Sequence, residues 1–311
     1  MEVWQRPRFQ PGGDPGRVSL FCFLGRVSDA RELLAGGLEV AYHGVGEGRF
    51  VELVEHLVEP HLVLEARRAG IQACGMFGRA RLLAHVHGRV RDPADLRHLQ
   101  AAWELARLVM SEHEGLAVFD AEALRWHAPR DLPGPEAPLE LGRELKLEPW
   151  AHGAPALLGE RAPDLLRTRG LAKFGRPDLV LLDPLGTVGD LGRARSLLLS
   201  AAGALARGRR LEPGQALPEL GLEVRGPRGL CLTLGAEFAG VLLVSPADAA
   251  QRPSSAPASP PRGAGATSAR SSAALRSTSA RASSSAARSG VASPYRAISA
   301  ASSAASSSRW S

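Results

Sequence analysis

Lysine is almost missing from this chain. Residues 1–250 hold only Lys146 and Lys173 against 28 arginines, an imbalance that points to a GC-rich coding sequence. Cysteine is also scarce. Cys22, Cys74 and Cys231 are far apart, odd in number and without paired spacing, which argues against a disulfide framework and for a reducing compartment. The longest apolar run near the start, residues 18–24, falls far short of the ~20 residues a membrane helix requires. The polar first ten residues are not followed by an apolar stretch of signal-peptide length. A soluble cytoplasmic protein without membrane association is therefore expected. No G-x-S-x-G, P-loop or paired metal-ligand spacing is present, so no reaction can be read directly, and neither a metal nor a cofactor is expected.

Residues 251–311 contain twenty Ser, seventeen Ala and eight Arg, with no Asp, Glu or Lys. The formal charge of +6 is thus a property of this tail, and residues 1–250 carry −2. With Leu275, Val291 and Ile298 as its only branched aliphatic residues, the tail cannot offset the entropy of ordering, and disorder is expected. Out-of-frame reading of a GC-rich gene also produces this composition, so a frameshift artefact is a second explanation. If the tail is genuine, its arginines can associate nonspecifically with nucleic acid in a salt-dependent way. The charges are dilute, however, and only Tyr295 and Trp310 supply aromatic groups.

The remaining chain reads as α+β: two small α/β-sandwich-like domains, followed by the disordered tail. The expected boundaries are 1–127, a Pro-rich connection at 128–163 with four prolines by residue 138, and a second domain at 164–250. Residues 18–24 are apolar on both parities, as in a fully buried strand. A short helix is expected at 29–35 and strands at 62–65, 80–90, 116–119 and 124–127. Asp92 and Pro93 open an expected helix whose Leu96, Leu99, Trp103, Ala106 and Met110 share one face. In the second half, a strand at 179–182 precedes a helix capped by Asp190 and closed by Gly208. Strands at 222–225, 230–234 and 241–244 complete the pattern.

The most distinctive local pattern is Arg167-Thr168-Arg169-Gly170-Leu171-Ala172-Lys173-Phe174-Gly175-Arg176-Pro177-Asp178-Leu179. It resembles a Thr-x-Gly-Leu-x-x-Phe-Gly-x-Pro-Asp/Glu-Leu segment of uncharacterised bacterial domains of unknown function, a resemblance that implies no settled activity. In that family a His often accompanies the Thr, whereas here Arg167 and Arg169 flank it. Arg167, Thr168, Arg169, Gly170 and Lys173 form a candidate anion-binding group, in which side-chain charge would join glycine amides. The competing reading is a structural turn with a solvated basic edge.

A second cluster, Arg79, Arg81, His85, His87, Arg89 and Arg91, shares one parity of an expected strand and hence one face. An ordinary exposed face, an anion-binding face and a two-histidine metal site are the readings, the last with Cys74 or His98 as third ligand. For covalent chemistry Cys22 is buried and Cys74 is the less implausible nucleophile. His56 and His61 do not have metalloprotease spacing, and residues 186–192 suit a helix-capping turn better than a phosphate loop. The leading expectation is a non-enzymatic module that binds a protein partner or a small anion. The alternative is a hydrolase using Cys74, His85 and His87 between the two halves, and a further alternative is nucleic-acid association through the tail.

Overall fold

The computed structural model describes residues 5–27, 33–152, 154–155, 163–212, 215–217, 222–225 and 242–246. The tail at 251–311, Cys231 and the strand expected at 230–234 lie outside them. Strand β1 (Gly16–Leu24) lies inside a six-stranded sheet with β2 (Leu34–Ala35), β3 (Leu38–Gly44), β4 (Leu82–Val90), β5 (Gly115–Asp120) and β6 (Arg125–His127). The order is β2-β3-β4-β1-β5-β6, antiparallel throughout. Helices α1 (Gly48–Leu57), α2 (Pro60–Arg68) and α3 (Ala73–Arg79) join β3 to β4, and α4 (Arg97–Glu112) joins β4 to β5.

Register divides this sheet into two differently filled faces. Leu20, Cys22, Ala84, Val86 and Val118 share a core with Leu99, Trp103 and Ala106 of α4. Phe21, Phe23, Leu83, Ala117 and Phe119 point the other way and pack with Phe50, Leu53, Leu57, Leu62 and Met76 of α1–α3. Burial on both faces is why the run at 18–24 is apolar on both parities.

The second sheet contains β7 (Lys146–Ala151), β8 (Ala154–Pro155), β9 (Leu165–Arg169), β10 (Leu179–Leu182), β11 (Ala216–Leu217), β12 (Leu222–Arg225) and β13 (Leu242–Pro246). Its order is β11-β12-β13-β10-β9-β7-β8, and β10 runs parallel to β13. Helices α5 (Leu141–Glu144), α6 (Pro184–Val188) and α7 (Leu191–Ala206) accompany it. The Asp190 carboxylate accepts the Arg193 amide at 2.6 Å and caps α7. Ala194, Leu198, Ala201 and Leu205 of that helix join Leu166, Leu179, Leu181 and Val244 in the apolar cluster that also contains α4. The protein is thus α+β, with the inner faces of two sheets sharing one continuous core.

Several elements differ from expectation. Residues 62–65 belong to helix α2, whose first position is Pro60 and whose Leu62 and Ala66 are buried at helical spacing. Leu34–Ala35, placed in a helix by the sequence, pairs with β3 instead. Gly36 and Gly37 at φ +60° and +80° make the tight turn between the two strands. Helix α4 begins at Arg97, because Asp92 accepts hydrogen bonds from Gly12, Gly13 and Arg176 and does not cap it. The segment expected as a connection contains α5, β7 and β8, with β7 hydrogen-bonded along β9.

Candidate functional site

The segment 167–179 is filled by internal partners. The Thr168 hydroxyl donates to Asp178 at 3.2 Å and accepts from the Leu179 amide at 2.8 Å. Gly170 and Gly175 have φ +102° and +63°, and a Cβ on either would run into the carbonyl oxygen of Glu144 or Asp14. The 3-10 turn Leu171–Phe174 between them sends Leu171 and Phe174 into the shared core.

Lys173 enters between the halves. Its Nζ donates to Asp120 Oδ2 and Glu144 Oε2, each at 2.6 Å, and all three side chains are at most 1 % exposed. Glu144 Oε1 accepts the Trp103 indole N–H at 2.9 Å, while Asp120 Oδ1 accepts the amides of Glu122 and Ala123. Burial alone pushes the Lys173 pKa down. The two carboxylates reverse this and hold it above the ordinary lysine value. Lys146 also sits at the joint, 3.4 Å from Glu65.

Two arginines extend the joint. Arg176 donates to Asp92 and to the carbonyls of Gln10, Gly208 and Arg209. Arg6 donates to Leu205 and Ala206, the last carbonyls of α7, and to Pro93 near α4. Arg169 lies 2.9 Å from Glu148, and Arg167 lies 4.0 Å from Asp178. The expected anion-binding group of Arg167, Thr168, Arg169, Gly170 and Lys173 is therefore brought together, but protein carboxylates face its cations. An open anion pocket is not what these residues form.

His85 and His87 lie on the face of the first sheet opposite the core shared with the second half, so they do not line a cleft between the halves. His85 is 1 % exposed. Its ring stacks on Phe21 at 4.2 Å and on His87 at 4.3 Å between centroids. Cys74 is exposed on α3 and has no hydrogen bond to either histidine among the described residues. His85 and His87 are thus stacked together, and no hydrogen bond among the described residues joins Cys74 to them. Cys22, with its pKa pushed up to about 12 by burial, is an inert core thiol.

The hydrogen bonds of His85 are directional. Arg49 Nη2 lies 3.2 Å from His85 Nδ1, and His85 Nε2 lies 2.9 Å from Ser19 Oγ. A guanidinium can only donate, so Nδ1 accepts and Nε2 carries the ring proton. Burial, followed by the positive fields of His87, Arg49 and His43, pushes the His85 pKa well down and keeps the ring neutral. In this tautomer His85 cannot take a proton from Ser19, so the pair is not a nucleophile and its base.

Towards its outer end the same face becomes basic. Ser19 stands opposite His87, and Arg17 stands opposite Arg89. Arg17 is 3.4 Å from Glu122, whose pKa is raised by burial and lowered in part by Arg17 itself. His87 is 3.5 Å from the exposed Glu39, and His43 is 3.2 Å from Glu47. Arg89 is exposed, with no carboxylate partner among the described residues. Arg79 is not on this strand; it ends α3. Among the described residues no group of three or more His, Cys, Asp or Glu side chains is arranged to hold a metal ion.

Ser19, Arg17 and Arg49 were absent from the sequence-based candidates. The first two share a parity with Phe21 in a run that signals a strand, so their common face was available to inspection. Arg49 reaches the site from a different element, and no local pattern marks it. Comparison of the chain with protein-family models, curated proteins and solved structures finds no match.

Proposed function

We propose that the protein is a non-enzymatic binding module for a small oxyanion, held at the outer end of the first sheet by Arg17, Arg49, His87 and Arg89. The observation that carries this reading is the direct cross-strand pairing of Arg17 with Arg89. Like charges in that position oppose sheet formation unless a counter-ion joins them. Glu122 accepts a hydrogen bond from Arg17 at 3.4 Å and answers that one guanidinium, while Arg89 has no carboxylate partner among the described residues. Arg49, bonded to His85, lies on the same face with the Ser19–His87 pair between it and the arginine pair, and guanidinium groups suit oxyanion geometry.

A hydrolase is disfavoured by the lack of a hydrogen bond between Cys74 and either histidine among the described residues and by the occupied acceptor nitrogen of His85. No helix among the described residues is long and apolar enough to cross a membrane. The free thiols of Cys22 and Cys74 support a cytoplasmic setting for this binding.

Calorimetric titration of the full chain with sodium sulfate at low ionic strength tests the proposal. Saturable binding is expected, weakened by added sodium chloride and lost in the Arg17→Gln/Arg89→Gln double variant. The absence of saturable binding, or equal binding by the double variant, rules the site out.

A further inference from the structure

We propose that the hydrogen-bonded series Arg49–His85–Ser19 is an acid-labile latch for helix α1, and that uptake of a proton by His85 releases α1 while the core shared by the two halves stays folded. Every contact in the latch lies within the chain, so it stands whether or not an anion binds. Arg49 is the second residue of α1 and reaches β4, where its Nη2 lies 3.2 Å from His85 Nδ1. His85 Nε2 lies 2.9 Å from Ser19 Oγ on β1. The free lone pair of the neutral ring is on Nδ1, so that atom must take any incoming proton. A proton there sets an N–H against the N–H of a guanidinium and turns an attraction into repulsion between two cations.

Among the described residues no carboxylate bonds to His85 to offset this. Ser19 and Phe21 of β1 face the ring, His87 of β4 stacks on it, and Arg49 comes from α1. On β3, Ala41 stands opposite it, with Glu39 and His43 two residues to either side. Those neighbours engage each other: Glu39 is 3.5 Å from His87, and Glu47 is 3.2 Å from His43. Glu52, one turn after Arg49 on α1, is exposed. Burial and the surrounding cations keep the docked ring neutral well below the ordinary histidine range. Proton uptake thus requires Arg49 to withdraw and the ring to meet water, which makes protonation and α1 release one event. Docking is at full strength above pH 6.5, the ordinary value, and weakens as the pH falls below it. Acid has the opposite effect on the His43–Glu47 contact, where a protonated ring would meet a carboxylate.

Release can be local because the two faces of the first sheet are filled separately. Phe50, Leu53 and Leu57 of α1 pack within the cluster on the α1–α3 side. No α1 residue joins the core that α4 and α7 share. Lifting α1 therefore leaves that core closed, as in an opening smaller than global unfolding.

Hydrogen exchange of the full chain, resolved by residue and corrected for intrinsic rates, tests the latch. Between pH 7.5 and 5.5 the opening constant of α1 amides should rise about tenfold, the ratio for one histidine of ordinary pKa 6.5 that titrates only in the open state. At pH 5.5 these amides should open at least about tenfold more often than those of β1 and α4. His85→Gln offers Arg49 an acceptor and Ser19 a donor but takes up no proton. It should hold the rise in α1 below about threefold, with His43, His56 and His87 all still present. Equal opening constants for α1 and the shared core overturn local release, and a larger rise in His85→Gln overturns the role of His85. A third readout needs no variant. The 15N shifts of His85 in the original chain should stay those of a neutral, Nε2-protonated ring at pH 5.5, and a protonated ring with α1 still protected overturns the latch.

Discussion

At the joint between the two halves, cations meet carboxylates; at the outer end of the first sheet, two arginines meet each other. Lys173 lies 2.6 Å from both Asp120 and Glu144, beyond the reach of solvent. Arg17 and Arg89 occupy a directly opposed cross-strand position, with Glu122 accepting a hydrogen bond from Arg17 at 3.4 Å and no carboxylate facing Arg89 among the described residues. The first arrangement is complete without a ligand. Removing any member leaves a buried charge or dipole uncompensated, so it serves the fold. The second leaves Arg89 without a carboxylate partner among the described residues, and on the binding reading proposed above an added anion would complete it. Basic residues in this protein therefore divide by whether the chain itself supplies the counter-charge, and a count of arginines does not separate the two groups.

The largest expected effect comes from breaking the complete arrangement. Lys173→Met should lower stability by about 3–5 kcal/mol in urea unfolding, because two carboxylates stay buried without their cation. Adding Asp120→Asn and Glu144→Gln to that variant should recover much of the loss. If Lys173→Met alone is neutral, the buried trio does not hold the halves together.

Next in size is the dependence on pH through His127, which packs edge-on against Trp103 at 5.0 Å beside the same trio. Burial lowers its pKa to about 4, with Asp120 opposing in part. Between the ordinary value of 6.5 and about 4 the unfolded chain takes up a proton that the folded ring refuses. Stability from this group is present above pH 6.5 and is lost as pH falls towards 4, by about 3 kcal/mol in full. Urea midpoints at pH 7 and 4.5 should therefore differ less in His127→Phe than in the original chain.

Gly170→Ala should cost about 2 kcal/mol, since the new methyl meets the Glu144 carbonyl at a positive φ. Gly46→Ala, with open space around it, is the matched control and should change stability little. The smallest expected effect sharpens the comparison from the other side. Arg89→Gln should leave stability within about 0.5 kcal/mol of the original, or raise it, because a like-charge pair is relieved.

Elements with a clear apolar pattern or capping signal were legible in the sequence. Strands β1, β10 and β12 and helix α7, with its Asp190 cap, occur where their apolar patterns and capping signals put them. Strand β7 was hidden because Glu148 and Trp150 are buried through partners on β9 and within the strand itself, so its polar residues looked like a connection. Asp92 carried a good capping signal, but Gly12, Gly13 and Arg176 outcompeted the helix for its oxygens. Lys173 was recognisable as unusual, yet Asp120 and Glu144 lie 53 and 29 residues away, and a charge reads as exposed until such partners are known. For His85 and His87 the shared face was readable from strand alternation. Burial of His85 was not, because the covering layer comes from α1–α3.

The urea midpoints of the original chain and Arg89→Gln, each in sodium chloride and in sodium sulfate at matched ionic strength, test most directly whether the outer arginine pair awaits an anion. Sulfate raises the stability of proteins in general, so the informative quantity is the difference between the two chains. The original chain should gain more from sulfate than the variant does, since an ion bound only by the folded state adds to its stability. An identical gain in both chains, or a variant destabilised equally in both salts, would contradict the assignment and make Arg89 an ordinary surface residue.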